Sequence, residues 1–121
     1  MTRALVYCRI SADIAGTELG VTRQREDAEK LCAARGWTIV GTLVDNDVSA
    51  HNGAHRPGYT ALMASVDRGE ADAVVVYQLS RLWRNRRERA EGIDKLKAAR
   101  ASIACVKGQD FDASSVALAG R

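Results

Sequence analysis

No apolar run in the sequence approaches the roughly 18 residues needed to cross a bilayer, so no transmembrane helix is predicted. The first residues, Met1-Thr2-Arg3-Ala4-Leu5-Val6-Tyr7-Cys8, lack an apolar stretch of signal-peptide length and a small-residue cleavage site. A cytoplasmic location, with no membrane partner, is therefore expected. Cysteine is sparse: Cys8, Cys32 and Cys105 are odd in number and form no C-x-x-C pair. A disulfide framework and a four-ligand zinc site are both disfavoured. Each cysteine falls in an apolar stretch and reads as a small buried hydrophobe with a free thiol. The only histidines, His51 and His55, flank an Asn52-Gly53 turn. Two imidazoles without further ligands make a poor metal site, and a solvated loop pair is the simpler reading. Neither G-x-x-x-x-G-K-[ST] nor G-x-G-x-x-G occurs, so no nucleotide cofactor is expected. Internal repeats, low-complexity segments and linkers are absent as well.

What is present is ordinary globular material. The 121 residues are 46% hydrophobic and 27% charged, enough for one domain with a single core. The net charge of +3 says little alone. Its distribution says more, because the basic residues are mostly arginine and five of them fall between Arg81 and Arg89. Arginine suits planar, bidentate phosphate recognition. A solvated helix face partly neutralised by Glu88 and Glu91 explains the run equally well.

The chain alternates strand-like and helix-like segments. Ala4 to Cys8 reads as a strand. Val21 to Arg35 reads as a helix, with Val21, Ala28, Leu31 and Cys32 on one stripe and Gly36 as its C-terminal cap. Trp37 to Val44 is β-branched and strand-like. Pro57 suits the first turn of a second helix, whose stripe is Tyr59, Leu62, Met63 and Val66 and whose end is Gly69. Ala73 to Leu79 is a nearly continuous apolar run, as in a central parallel strand covered on both faces. Asn85 and Glu88 resemble a capping box opening a third helix, with Ala90, Ile93 and Leu96 inward. Ser102 to Val106 reads as a fourth strand, and Asp112 to Ser115 as a fresh helix start. The predicted fold is an α/β three-layer sandwich with a largely parallel central sheet.

In such sheets, sites form beyond the carboxyl ends of the strands. That edge carries Arg9 and Ser11 after the first strand, Asp45, Asp47 and Ser49 after the second, and Ser80, Arg81 and Arg84 after the third. Gln24 lies at the same edge, on the apolar stripe of the first helix, and needs a hydrogen-bond partner there. Asp45 and Asp47 suit a magnesium ion on type alone, but two carboxylates in one loop are more often turn and cap residues. Serine hydroxyls among guanidiniums, with no histidine relay, suit attack on a phosphate more than on a carbonyl. The guanidiniums would neutralise a phosphodiester and stabilise its pentavalent transition state, a site needing no metal in principle.

From Tyr7-x-Arg9-x-Ser11 onward the sequence resembles the serine recombinases, the resolvase/invertase family. Gln24 in the first helix, Asp45 ahead of Val48-Ser49, Arg56-Pro57-Gly58-Tyr59, and Ser80-Arg81-Leu82-Trp83-Arg84 follow in the family's order. The segment from Gly108 to Arg121 resembles the approach to the long helix that follows the family's catalytic domain. The resemblance thus covers nearly the whole chain, and implies a resolvase-like fold.

It implies site-specific DNA recombination through a 5′-phosphoserine link, with Ser11 as nucleophile and Arg9, Arg81 and Arg84 on the scissile phosphate. Arg56 would assist the phosphate or the active conformation. Gln24, Asp45 and Ser49 would position groups around it, and Tyr7 belongs to the same set. The implied partners are DNA and further copies of the chain, as dimer and tetramer, with no metal, ATP or small-molecule cofactor. Ser80 departs from the Asp usual at its position, which removes any acid-base role there. The loop from Ser11 to Gln24 and the Arg-Pro-Gly spelling lean toward the large serine recombinases of phage integrases and transposases.

The expected organisation is a single catalytic domain, residues 1–121, halting as that long helix begins and without a DNA-reading region. Two other classes compete. A catalytically silent DNA-associated assembly domain would keep the fold and lose the chemistry at Ser80. A flavodoxin-like module for a small anion would show saturable ligand binding.

Overall fold

The structure is a computed structural model that describes residues 2–10, 17–46, 57–79, 82–83, 85–107 and 111–112. The elements run β1 (Arg3–Ile10), α1 (Thr17–Arg35), β2 (Thr38–Asn46), α2 (Pro57–Asp67), β3 (Ala73–Val76), α3 (Arg86–Ala99), β4 (Ser102–Cys105) and β5 (Phe111–Asp112). The sheet order is β2-β1-β3-β4-β5. The β1–β2, β1–β3 and β3–β4 pairs are parallel, and β5 runs antiparallel to β4. The chain moves from β1 to β2 on one side, then returns past β1 to β3. The strand order therefore reverses between β1 and β3, and open α/β sheets bind ligands at such a point.

Side-chain alternation along the strands divides the core into two layers. Leu5, Tyr7, Val74, Val76, Ile103 and Cys105 face Leu62, Met63 and Val66 of α2 and Leu96 of α3. Ala4, Val6, Cys8, Val75 and Ala104 face Ala28 and Cys32 of α1. The predicted three-layer sandwich is therefore the observed one. All four residues of β3 are buried, which explains the unbroken apolar run in the sequence. The three cysteines are free and buried.

One irregularity sets the geometry of β2. Ala4 pairs with Ile39 but Leu5 pairs with Gly41, so Val40 is an extra residue and the register shifts. Ile39 accordingly packs with the α1 layer, whereas Leu43 packs with the α2 layer. Gly41 sits where a Cβ would come 3.0 Å from Leu5 Cδ2.

The helix ends follow local chemistry. Gly36 and Gly69 take the left-handed conformation as predicted, with φ of 72° and 70°. Asn85 caps α3 by accepting the Glu88 N–H at 2.9 Å. Arg100 closes α3 in the same left-handed region, φ 57°, and its N–H reaches the carbonyls of Leu96 and Lys97.

Three expectations need correction. Asp112, expected to open a helix, belongs to β5, paired opposite Ser102 along the open edge of β4; the rest of that predicted helix start, residues 113–115, lies outside the described residues. Ala90 is exposed, and the buried positions of α3 are Gly92 and Leu96. The bulk facing Gly92 comes from Trp83, which helical periodicity cannot register. The strand predicted to reach Leu79 ends at Val76, and a short turn follows in which the Leu82 and Trp83 N–H groups both donate to the Leu79 carbonyl. Among the described residues, no helix is long and apolar enough to cross a membrane.

Candidate active site

Asp45 ends up 3% exposed at the carboxyl end of β2, directly opposite Arg9 of β1. An ionised carboxylate in such a place is costly unless donors surround it. Three converge on it. The Tyr7 hydroxyl donates to Oδ2 at 2.6 Å, the Gly58 N–H to Oδ1 at 2.7 Å and the Tyr59 N–H to Oδ2 at 2.8 Å. Pro57, at the start of α2, has no N–H to offer, so the next two amides turn to Asp45. A residue from a distant strand thus caps α2 and meets the positive end of its dipole. The cap role, one of the two readings open for Asp45, is the one the geometry bears out. The α2 terminus is thereby taken by a carboxylate.

Gln24 is 8% exposed and turns its amide to the end of β1. Its Nε2 donates to the Arg9 carbonyl at 3.3 Å, and its Oε1 accepts the Arg9 N–H at 3.4 Å. The paired β1–β3 register stops at Val6, so this amide serves the main chain of β1 beyond the reach of β3. The polar residue on the apolar stripe is a main-chain clamp two residues ahead of Ser11. Arg9 itself is 9% exposed and, by strand alternation, shares a face with Tyr7.

A second set of contacts joins α2 to the segment carrying two of the predicted arginines. The Trp83 indole N–H donates to the Tyr59 hydroxyl at 3.0 Å. The Tyr59 ring meets Tyr7 edge-on, centroids 6.2 Å apart and planes at 69°. Leu82 is fully buried, and Trp83 lies against Gly92, where a Cβ would fall 2.4 Å from the indole nitrogen. Sequence reasoning assigned no role in the site to Gly58, Tyr59, Trp83 or Gly92. Their signals were a glycine directly after the helix-opening proline and another inside α3.

Of the predicted site residues, the structure brings Tyr7 and Asp45 into contact, and Arg9 and Gln24. Ser11, Ser49, Arg56, Ser80, Arg81 and Arg84 lie outside the described residues, as do Asp47, His51 and His55. Among the described residues no three His, Cys, Asp or Glu side chains gather into a metal-binding group. Burial pushes the Cys8 thiol up to about 11, with Arg25 pulling weakly the other way, so it stays protonated near neutrality. Cys32 is raised for the same reason. Neither thiol is a competing nucleophile.

A parallel sheet wrapped on both faces, with a polar cluster at its strand-order reversal, defines an α/β domain with its site at the carboxyl edge. The family model for the resolvase N-terminal domain matches residues 4–118, and the chain belongs to that family. The Tn2501 transposon resolvase of Escherichia coli is 26% identical over 117 residues, 97% of this chain and 56% of that protein. The chain therefore spans little more than half the length of that curated relative. The catalytic domain of ISC1926 TnpA, an IS607-like serine recombinase, is similar with a TM-score of 0.72 at 26% identity, covering 88% of this chain and 70% of that one. A resolvase family site-specific recombinase from Streptococcus pneumoniae shares the fold, with a TM-score of 0.76 at 21% identity over 100% of this chain and 89% of that one. The catalytic domain of TP901-1 integrase does so too, with a TM-score of 0.66 at 21% identity over 86% and 76%.

Proposed function

We propose that this chain is the catalytic domain of a serine-type site-specific DNA recombinase, with Ser11 as nucleophile. The family match over residues 4–118 carries the reading. It is supported by the placement of Arg9 at the carboxyl end of β1, two residues ahead of Ser11, beside the strand-order reversal.

In the proposed reaction the Ser11 hydroxyl gives up its proton and attacks a backbone phosphorus. The bond from phosphorus to the 3′ oxygen breaks, and that oxygen takes up a proton and leaves as a free 3′-hydroxyl. A 5′-phosphoserine ester forms and conserves the phosphoester bond. Attack by a 3′-hydroxyl from the exchanged strand reverses the step and frees Ser11. Arg9, Arg81 and Arg84 neutralise the phosphate and the charge of the transition state, and Arg56 assists them. Gln24 and Asp45 act on the main chain: one holds the end of β1, the other the start of α2. Ser49 and Ser80 supply hydroxyls at the same edge.

The reading takes residues 1–121 as one catalytic domain working as a dimer and tetramer on two DNA sites. Its own affinity for DNA is weak, indifferent to sequence and lowered by salt. The test incubates the full gene product with nicked suicide duplexes made from DNA flanking its gene. A denaturing gel reads protein attached to a 5′ end. Linkage in the wild type and none in Ser11→Ala sustains the proposal. Tight binding without linkage in either protein overturns it and favours the silent assembly domain, for which Ser80 in place of the usual Asp is the motivating observation.

A further inference from the structure

We infer that the hydrogen bond between Trp83 and Tyr59 is a positioning device that fixes the turn carrying Arg81 and Arg84 against the Asp45-capped start of α2. The inference rests on the recombinase reading above for its catalytic consequence, and on contacts alone for its structural one.

Arginine side chains are long and their aim depends on the main chain that bears them. The two residues between the arginines are anchored. Leu82 is fully buried, Trp83 is 7% exposed, and both their N–H groups donate to the Leu79 carbonyl at 2.9 and 3.1 Å. Those bonds are local and cannot place the turn relative to β1. The indole N–H can, because it crosses to Tyr59 at 3.0 Å. Tyr59 is itself fixed twice, by its own N–H on Asp45 Oδ2 at 2.8 Å and by its edge-on contact with Tyr7. Tyr7 closes the circuit through its hydroxyl on the same oxygen, at 2.6 Å. A chain of contacts therefore runs from β1, four residues ahead of Ser11, through Asp45 and α2 to the residue next to Arg84.

Gly92 supports this reading. A Cβ there would come 2.4 Å from Trp83 Nε1, so α3 gives up a side chain to let the indole pack against it. Indole is a donor only, so it has one polar direction to satisfy, and the Tyr59 hydroxyl lies along it. Packing alone would accept a phenylalanine at either position.

Tyr59→Phe removes the acceptor and keeps the ring, and Trp83→Phe removes the donor. In the full gene product, single-turnover linkage to a suicide duplex should fall about 10- to 100-fold in each, the scale of a displaced catalytic group. DNA affinity should stay within about twofold, since the charges are retained. The double variant should be no slower than the singles, because both remove one interaction. A purely structural role would lower the melting temperature and leave the linkage rate of the folded protein alone. Wild-type linkage rates in Tyr59→Phe would overturn the inference. A wild type that makes no linkage would instead count against the recombinase reading, and the device is then judged by amide exchange. Exchange of the Trp83 indole proton and the Leu82 and Trp83 amides at least about tenfold faster in Tyr59→Phe sustains it; unchanged protection overturns it.

Discussion

The carboxylate of Asp45 approaches the Gly58 amide so closely that a Cβ at residue 58 would lie 2.8 Å from Oδ1. The glycine there answers to the carboxylate: the first turn of α2 can reach Asp45 only if residue 58 has no side chain.

Gly58→Ala should therefore destabilise the fold by about 1–3 kcal/mol, the cost of overpacking a tight site. Intrinsic helix propensity alone would favour the alanine by about 1 kcal/mol. Asp45→Asn keeps the shape but turns an amide donor toward donors, and should also destabilise. Thermal denaturation of both variants distinguishes the contact from propensity by the sign of the change.

Gly92→Ala makes the same kind of test in α3. An exposed helical glycine gains up to about 1 kcal/mol on replacement by alanine. Here the new methyl meets the Trp83 indole, and a loss of about 1–3 kcal/mol is expected. Urea titration at one temperature suffices, and a more stable variant would mean that the indole is not seated on Gly92.

Gln24→Glu should weaken the end of β1 while leaving the volume unchanged. A carboxylate still accepts the Arg9 N–H but sets an acceptor against the Arg9 carbonyl, where Nε2 now donates. The expected cost is about 1–3 kcal/mol, the range for a buried polar mismatch. Hydrogen exchange at the Arg9 amide localises the effect, which should be absent from α3.

The cysteines predict a pH dependence. Burial raises the Cys8 thiol to about 11 from its usual 9.0. The folded state then holds this proton more tightly than the unfolded chain. The contribution is complete below pH of about 9 and is lost as pH climbs through the folded value. Cys32 acts in the same direction. Stability measured from pH 8 to 11 should fall, and less steeply in Cys8→Ala. At neutral pH, a thiol reagent should label the native chain slowly and all three cysteines once it is unfolded.

Much of this architecture is legible in sequence because it rests on local patterns. The apolar run of β3, the glycine caps at Gly36 and Gly69, and the Asn85 cap each depend on a few adjacent residues. Strand alternation by itself sends Tyr7 and Cys8 to opposite faces of the sheet. The limits of β1 were less legible, since it continues to Ile10, past the apolar run that marks it. A strand turns polar where its site begins, and the hydropathy signal stops there. The Asp45 contacts were out of reach for another reason. Tyr7 and Gly58 lie 38 and 13 residues away, and no local pattern encodes a carboxylate shared between a strand and a helix. Gln24 stood out as an anomaly, but its partner was a main-chain segment, which carries no residue signature.

Beyond the extra residue at Val40, chain length in β2 matters more than chemistry. Val40 and Val44 face outward on an edge strand, about half exposed, and their side chains can vary with little consequence. Deletion is a different event, and its outcome depends on position. Loss of Val40 would restore an even pleat and leave Asp45 opposite Arg9, whereas loss of Val44 would rotate everything downstream by half a turn and carry Asp45 to the wrong side of the sheet. Tyr7, Gly58 and Tyr59 would lose their common acceptor together. Mutational scanning of this strand should thus find a segment permissive to substitution, tolerant of a codon lost at Val40 and intolerant of one lost at Val44, a reading frame kept by geometry.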